Sequence, residues 1–223
     1  MGSEFQEEER VRKMREMLNK QFSSAGRGVN PKAADEWCEP TNQASGMVLV
    51  ADPTPFQRGD PQSLARFAFS GAVPDVIPAD RRAELMPVIL LLEHGPSGSV
   101  GVMLNRRTGM LLGDLGDSPE LRAFCIQPLW QGGIAGQLDL NFLHTYGAEI
   151  DDSEALTDDG LCLGGDFLSA VQHVTDGPGS TFNFRFVVKH TRWERGALEK
   201  EVAAGRWLPC KVGKMSIIKV NAR

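Results

Sequence analysis

Apolar and polar residues change period several times along this chain, and each change predicts an element. Over residues 6–22, Val11, Met14, Leu18 and Phe22 fall at three- and four-residue steps, the spacing of one helical face. Glu8/Arg12, Glu9/Lys13 and Glu16/Lys20 are i,i+4 pairs on that helix, each worth about 0.3 kcal/mol. The apolar stripe is narrow, so the helix is expected to dock on its own body or on a second chain. Small residues over 23–28 end it, and 30–45 reads as a polar connector with one aromatic anchor, Trp37.

Shorter periods follow. Residues 46–51 read as a strand closed by Asp52-Pro53, and 54–79 as a Pro-containing surface excursion with one helical turn. The apolar run 87–92 predicts a buried strand; 93–99 is a Gly/Ser turn and 100–105 the returning strand, a hairpin with a wide loop. Short helical pieces are expected at 111–115 and 119–124, and strands at 129–131, 140–145 and 161–164. Residues 167–174 read as a helix capped by Asp166. Over 182–188, Phe182, Phe184 and Phe186 alternate with Asn183 and Arg185, a strand with two different faces. A helix is expected after Trp193, with Glu194 as N-cap and Trp193 and Leu198 as a hydrophobic staple. Gly205 suits its left-handed stop, and Trp207 follows. Residues 216–220 are read as a last edge strand. Seven or eight short strands with irregularly interspersed helices predict an α+β fold on a mainly antiparallel sheet.

Composition narrows the class. The 223 residues are 41% hydrophobic and 24% charged, which suits a soluble domain with a sizeable core. No apolar run approaches the ~20 residues that span a bilayer. Met1-Gly2-Ser3-Glu4-Phe5 looks like a cloning scar, so the organisation expected is 1–5 scar, 6–45 helix and connector, and 46–223 globular domain. The net charge of −5 conceals an asymmetry: from Arg185 onward ten Lys/Arg face three Glu, a balance of +7 against −12 for the rest. Overall acidity argues against non-specific nucleic-acid binding. The basic end suits an anionic partner, although interleaving of these charges on folding is favoured. Cys38, Cys125, Cys162 and Cys210 are far apart, and the four histidines never fall at i,i+4, so no metal site and no cofactor are expected.

Candidate chemistry is sparse. Glu93-His94 closes a buried strand beside a Gly/Ser loop, where a histidine suits acid/base work. Adjacent strand residues point to opposite faces, so Glu93 is badly placed to orient His94, and loop hydrogen bonding is favoured. Gly95-Pro96-Ser97-Gly98-Ser99 lacks the final Gly of a nucleophile elbow. Gly164-Gly165-Asp166 precedes a helix, where backbone N–H groups could hold a phosphate; an Asp cap satisfies the same donors. Gly132-Gly133 could form a backbone nest but lacks the Lys and Ser/Thr of a P-loop. Both pairs read better as tight corners. The binding candidates are therefore Glu93, His94, Asn105, Gly132, Gly133, Gly164 and Gly165, with no catalytic set.

The ordered blocks Gly46–Ala51, Val88–His94, Gly101–Asn105, Pro128–Gly133, Gly160–Asp166 and Phe184–Trp207 resemble the AlgH/YqgE family. The leader with Trp37 resembles its plant and algal plastid branch. The resemblance implies a sheet curled into a partial barrel with flanking helices, and no established catalysis. Trp193, Leu198, Gly205 and Trp207 are signature positions of that likeness. The chain departs from the family pattern at Glu84, Met86, Arg107, Ile134 and Ala197. The expected role is a non-enzymatic regulatory or interaction protein of the chloroplast, acting through a protein partner and peripherally near the thylakoid. A phosphoester binder or hydrolase at the His94 loop is the alternative. The transcriptional-regulator label of bacterial relatives is disfavoured, because no Arg/Lys-lined recognition helix is present.

Overall fold

The computed structural model describes residues 38–40, 44–67, 77–78, 81 and 83–219. The predicted 6–22 helix and Trp37 lie outside the described residues. Eleven strands among the described residues form one curled sheet. They are β1 (Cys38–Pro40), β2 (Val48–Ala51), β3 (Val88–Gly95), β4 (Gly98–Met103), β5 (Arg107–Leu111), β6 (Pro128–Gln131), β7 (Ala135–His144), β8 (Glu154–Ala155), β9 (Cys162–Leu163), β10 (Phe184–Trp193) and β11 (Trp207–Val212). Their order is β1-β11-β2-β3-β4-β10-β7-β9-β8, with β6 on β10 and β5 on β6. Every pairing is antiparallel except β6 with β10. Helices α1 (Pro53–Arg58), α2 (Pro61–Phe67), α3 (Phe167–Thr175), α4 (Ala197–Ala203) and α5 (Lys214–Lys219) flank the sheet.

The curl originates in β10. Residues 184–190 pair with β7, and 191–193 pair with β4. Between these halves lies a bulge, where Lys189 adopts φ 59°, a left-handed conformation that a side chain disfavours. The strand turns there and feeds two cores. One gathers β2, β3 and β4 with Trp193, Trp207, Leu198 and the α5 isoleucines; the other gathers Phe124, Phe142, Phe184 and Phe186 under α3. Gly132 and Gly133 make the bulge possible. A methyl on Gly133 would lie 2.0 Å from the His190 carbonyl oxygen, and one on Gly132 2.4 Å from that of Lys189. With hydrogen in place of Cβ, the Gly132 N–H donates to Val188 O, while Gly132 O accepts from Met103 N–H and the Thr191 hydroxyl.

Arg185 fixes the last helix to this strand. It is buried, and its guanidinium lies 3.7 Å above the Trp130 ring. It donates to Ile217 O and Ile218 O in the last turn of α5, and to Leu104 O. Of the 216–220 stretch, predicted as a last strand, the described residues 216–219 are thus the end of a helix. Burial of Ile217 and Ile218 and the capped carbonyls outweigh β-branched propensity there. Burial pushes the Arg185 pKa down to about 9, and repulsion from Arg107 adds to it, so the group still carries charge at neutral pH.

Other expectations need correcting locally. The 54–79 excursion contains two helices, α1 capped by Asp52 and α2 opened by Asp60, whose carboxylate accepts from Ser63 N–H. The 93–99 loop is a two-residue turn at Pro96-Ser97, with Gly95 opposite Gly98. The 30–45 connector contributes β1 to the β11 edge. Phe182 falls in a 3-10 turn before β10 and is 74% exposed instead of joining Phe184 and Phe186. Glu194 is not an N-cap: α4 begins after Gly196 at φ 71°, so the Trp193–Leu198 staple does not form as drawn. Its end agrees with expectation. Gly205 N–H donates to Val202 O and Arg206 N–H to Glu201 O, a Schellman closure.

Gly133→Ala should unfold at markedly lower urea than the parent, a loss of about 3 kcal/mol or more, because a backbone oxygen occupies the methyl's place. Gly95→Ala, which meets nothing within 4 Å, should stay within about 0.5 kcal/mol.

Candidate functional site

The predicted polar residues do not converge. His94 faces Ser99 across the β3–β4 pair, with Nδ1 2.8 Å from the Ser99 hydroxyl. Ser99 is 3% exposed and cannot be reached by a substrate, whereas Glu93 is exposed on the opposite side. Asn105 lies at the other end of the hairpin, roughly 20 Å away at ~3.3 Å per strand residue. Its Oδ1 accepts from Val88 N–H at 3.1 Å, and its Nδ2 donates to Met86 O at 2.8 Å. Arg106 extends the clamp by donating to Glu84 O at 3.0 Å and to Leu85 O. Burial lowers its pKa to about 10 against the opposing field of Glu84, so it too stays charged. This pair fixes the segment entering β3 and commits both ends of the buried Asn105 amide to backbone.

The Gly pairs are corners with different partners. Gly132-Gly133 lie against the β10 bulge, as described above. Gly164 (φ 61°) and Gly165 (φ 112°) turn the chain from β9 into α3, and Asp166 Oδ2 caps that helix by accepting from Ser169 N–H. His144 locks this second corner. Its Nδ1 accepts from Tyr146 N–H at 3.2 Å, and its Nε2 donates to Gly164 O at 3.0 Å, which assigns the neutral Nε2–H tautomer. Burial lowers the His144 pKa; the Gly164 carbonyl opposes the shift and His173 adds to it. Tyr146 stacks edge-on against His173 at 4.4 Å and holds Ser180 and Asn183 through its hydroxyl.

A different constellation is built where the sequence suggested only packing. Glu201, on α4, receives the indole N–H of Trp193 at 2.9 Å and of Trp207 at 2.7 Å on one oxygen, and Arg66 from α2 at 2.6 Å on the other. Arg66 also lies over the rings of Phe67 (4.7 Å) and Trp193 (5.5 Å). Burial pushes the Glu201 carboxyl up, and the bonds from Trp207, Arg66 and Trp193 outweigh it, so the group is held below the usual glutamate range. Beside this cluster a cleft of about 360 Å³ opens between α1–α2 and the α4–β11 corner. Ala51, Phe56, Phe67 and Trp207 form its floor, with Asp52, Asp60 and Arg206 at its rim. Trp193 and Trp207 flanking a segment with three glutamates were the visible signal; Arg66, 135 residues from Glu201, had none.

Among the described residues no three His, Cys, Asp or Glu side chains converge as metal ligands, and no helix is long and apolar enough to cross a membrane. Cys125 and Cys162 are free thiols.

The fold defines the class: a mainly antiparallel sheet curled into a half-barrel, with helices on its flanks and no assembled catalytic set among the candidates above. The chain belongs to the AlgH-like family, whose model matches residues 86–223. It is 34% identical over 129 residues to a UPF0301 protein of Stutzerimonas stutzeri, covering 55% of this chain and 66% of the relative. A UPF0301 protein of Parabacteroides distasonis is 27% identical over 134 residues, covering 60% and 67%. The chain thus spans about two thirds of the length of these curated relatives. Its fold is similar to that of a Corynebacterium diphtheriae protein (TM-score 0.55, 21% identity, 82% of this chain and 83% of that one). It is similar also to the solution structure of AlgH from Pseudomonas aeruginosa (TM-score 0.52, 18% identity, 82% and 87%).

Two outcomes follow. Glu201→Ala strands two buried indole N–H groups and should cost about 3 kcal/mol in urea unfolding, with Glu201→Gln intermediate. The half-exposed Arg66 adds little to that figure. His144 has its pKa lowered on folding, so the unfolded chain binds the extra proton first. Stability is full above the unfolded value of about 6.5 and is lost as pH falls through it, by at most about 1.4 kcal/mol per pH unit. Denaturant midpoints between pH 7.5 and 5.5 should show that slope, and His144→Gln should flatten it.

Proposed function

We propose that this chain is a non-enzymatic interaction protein that acts through a protein partner. The observation carrying this reading is an apolar surface around β5. Met110 and Leu111 on β5, Leu115 in the following 3-10 turn and Ile126 are 42%, 42%, 37% and 69% exposed. The two segments that carry them run side by side, because Leu112 N–H donates to Gln127 O and Gly113 N–H to Cys125 O. Contiguous exposed apolar residues on a folded domain mark contact surfaces more often than isolated ones do.

The form of β5 favours a partner that reads side chains over one that adds a strand. Among the described residues β5 pairs only with β6, yet Gly109 (φ 86°) breaks its regularity, the Met110 N–H is taken by the Thr108 hydroxyl, and the Leu111 N–H by Asp114. An edge capped by its own side chains is a poor template for strand addition. The partner expected is therefore one that lays an apolar face on Met110, Leu111, Leu115 and Ile126. The roughly 20 Å between His94 and Asn105 weighs against the alternative, a phosphoester hydrolase at the His94 loop. The plastid setting and a peripheral position near the thylakoid remain part of the proposal, on the resemblance of the leader alone.

Leu111→Glu with Ile126→Glu should leave the urea midpoint almost unchanged, since both side chains are exposed. The unmodified chain should crosslink, from plastid extract, to a partner whose crosslinks map to 107–127, and the double variant should lose it. Crosslinks between copies of this chain, or a partner retained by the variant, would sink the reading.

A further inference from the structure

We propose that the cleft between α1–α2 and the α4–β11 corner binds a small organic cation: an ammonium or guanidinium group on an apolar stem. The site is separate from the β5 patch and does not depend on it. Its volume of about 360 Å³ falls in the general range of small-molecule sites, about 300–1,000 Å³. The floor is apolar and aromatic, with Phe56, Phe67 and Trp207 all less than a tenth exposed. Such a floor takes an apolar stem, and ring faces that Arg66 does not cover attract cations over anions.

The charges on the walls select the same sign. The lining carries Asp52, Asp60 and Glu201 against Arg66 and Arg206, a net of one negative charge. Arg66 is engaged by Glu201 at 2.6 Å and by two aromatic rings. Arg206 lies in the field of Asp60, whose carboxyl is held low first by the Ser63 hydroxyl and N–H. Asp52 is left over. Its Oδ1 accepts the Thr54 N–H at 3.0 Å and hydroxyl at 2.9 Å, while its Oδ2 accepts no hydrogen bond among the described residues. A half-buried carboxylate oxygen with open lone pairs beside an aromatic floor takes a charged N–H donor.

The test is an amide NMR titration of the full chain with 4-phenylbutylamine, beside 4-phenylbutyrate and 4-phenylbutanol at equal concentration. The amine should shift the Thr54, Phe56 and Ser63 amides and the Trp207 indole in a saturable way, more tightly than the alcohol, and the carboxylate should not bind. Asp52→Asn with Asp60→Asn keeps both helix caps, since Asn caps as well as Asp. That double variant should bind the amine about tenfold more weakly, the order of one lost charge-assisted hydrogen bond. The proposal is overturned if the carboxylate binds as well as the amine, if the shifts map away from 51–67 and 201–207, or if the double variant keeps its affinity. It also fails if no saturable shift develops up to about 10 mM, the weak end of the affinity scale.

Discussion

The structure depends on one strand being forced to serve both halves of the curled sheet. β10 carries the phenylalanines of one core in its first half and Trp193 of the other at its end. A straight strand could not do both. The bulge at Lys189 supplies the turn, and Gly132-Gly133 supply the space, because two backbones meet where a Cβ would otherwise sit. The second face of β10 is used as fully as the first. Arg185 points away from Phe184 and Phe186 and secures α5 through its carbonyls. The curl, the two cores and the C-terminal helix are consequences of that strand.

This explains which parts of the architecture were legible in sequence. Elements made by local rules were readable: the buried run of β3, the Asp166 cap on α3, the Gly205 stop of α4 and the alternation in β10. The misread ones depend on distant partners. Ile217-Ile218 suggest a strand until a buried guanidinium 32 residues away caps their carbonyls. The α1–α2 pair has the prolines of a loop, yet Pro53 and Pro61 stand at helix starts, where a missing N–H costs nothing. The turn between β3 and β4 is tighter than its Gly/Ser content suggested because Gly98 lets the hairpin tip press on the Trp193 carbonyl.

Function was less legible for a related reason. Gly132, Gly133, Gly164 and Gly165 carry a signal that close backbone approach and ligand approach share. The structure gives the first pair a close approach to β10 and the second a left-handed corner locked by His144. His94 and Asn105 were attractive because polar residues at strand ends often serve sites, but one bonds a buried serine and the other clamps the chain entering β3. The Glu201 cluster was hidden for the opposite reason. Its tryptophans look like core residues, which they are, and Arg66 comes from a segment that read as a surface excursion.

The excess of basic residues after Arg185 illustrates how folding redistributes a sequence-level charge block. Arg185 is in the core, Arg206 lines the same cleft as Asp60 and lies in its field, and Lys214 starts a helix whose first N–H is held by Asp159. These three members of the block meet groups from elsewhere in the chain. A block of charge in sequence therefore does not become a patch unless the fold leaves its members on one surface. The exposed apolar side chains behave differently. Met110, Leu111, Leu115 and Ile126 come from two segments that backbone hydrogen bonds hold side by side. A feature that folding assembles from two segments is a guide to a contact surface, and this one sits on the capped, irregular edge of the sheet.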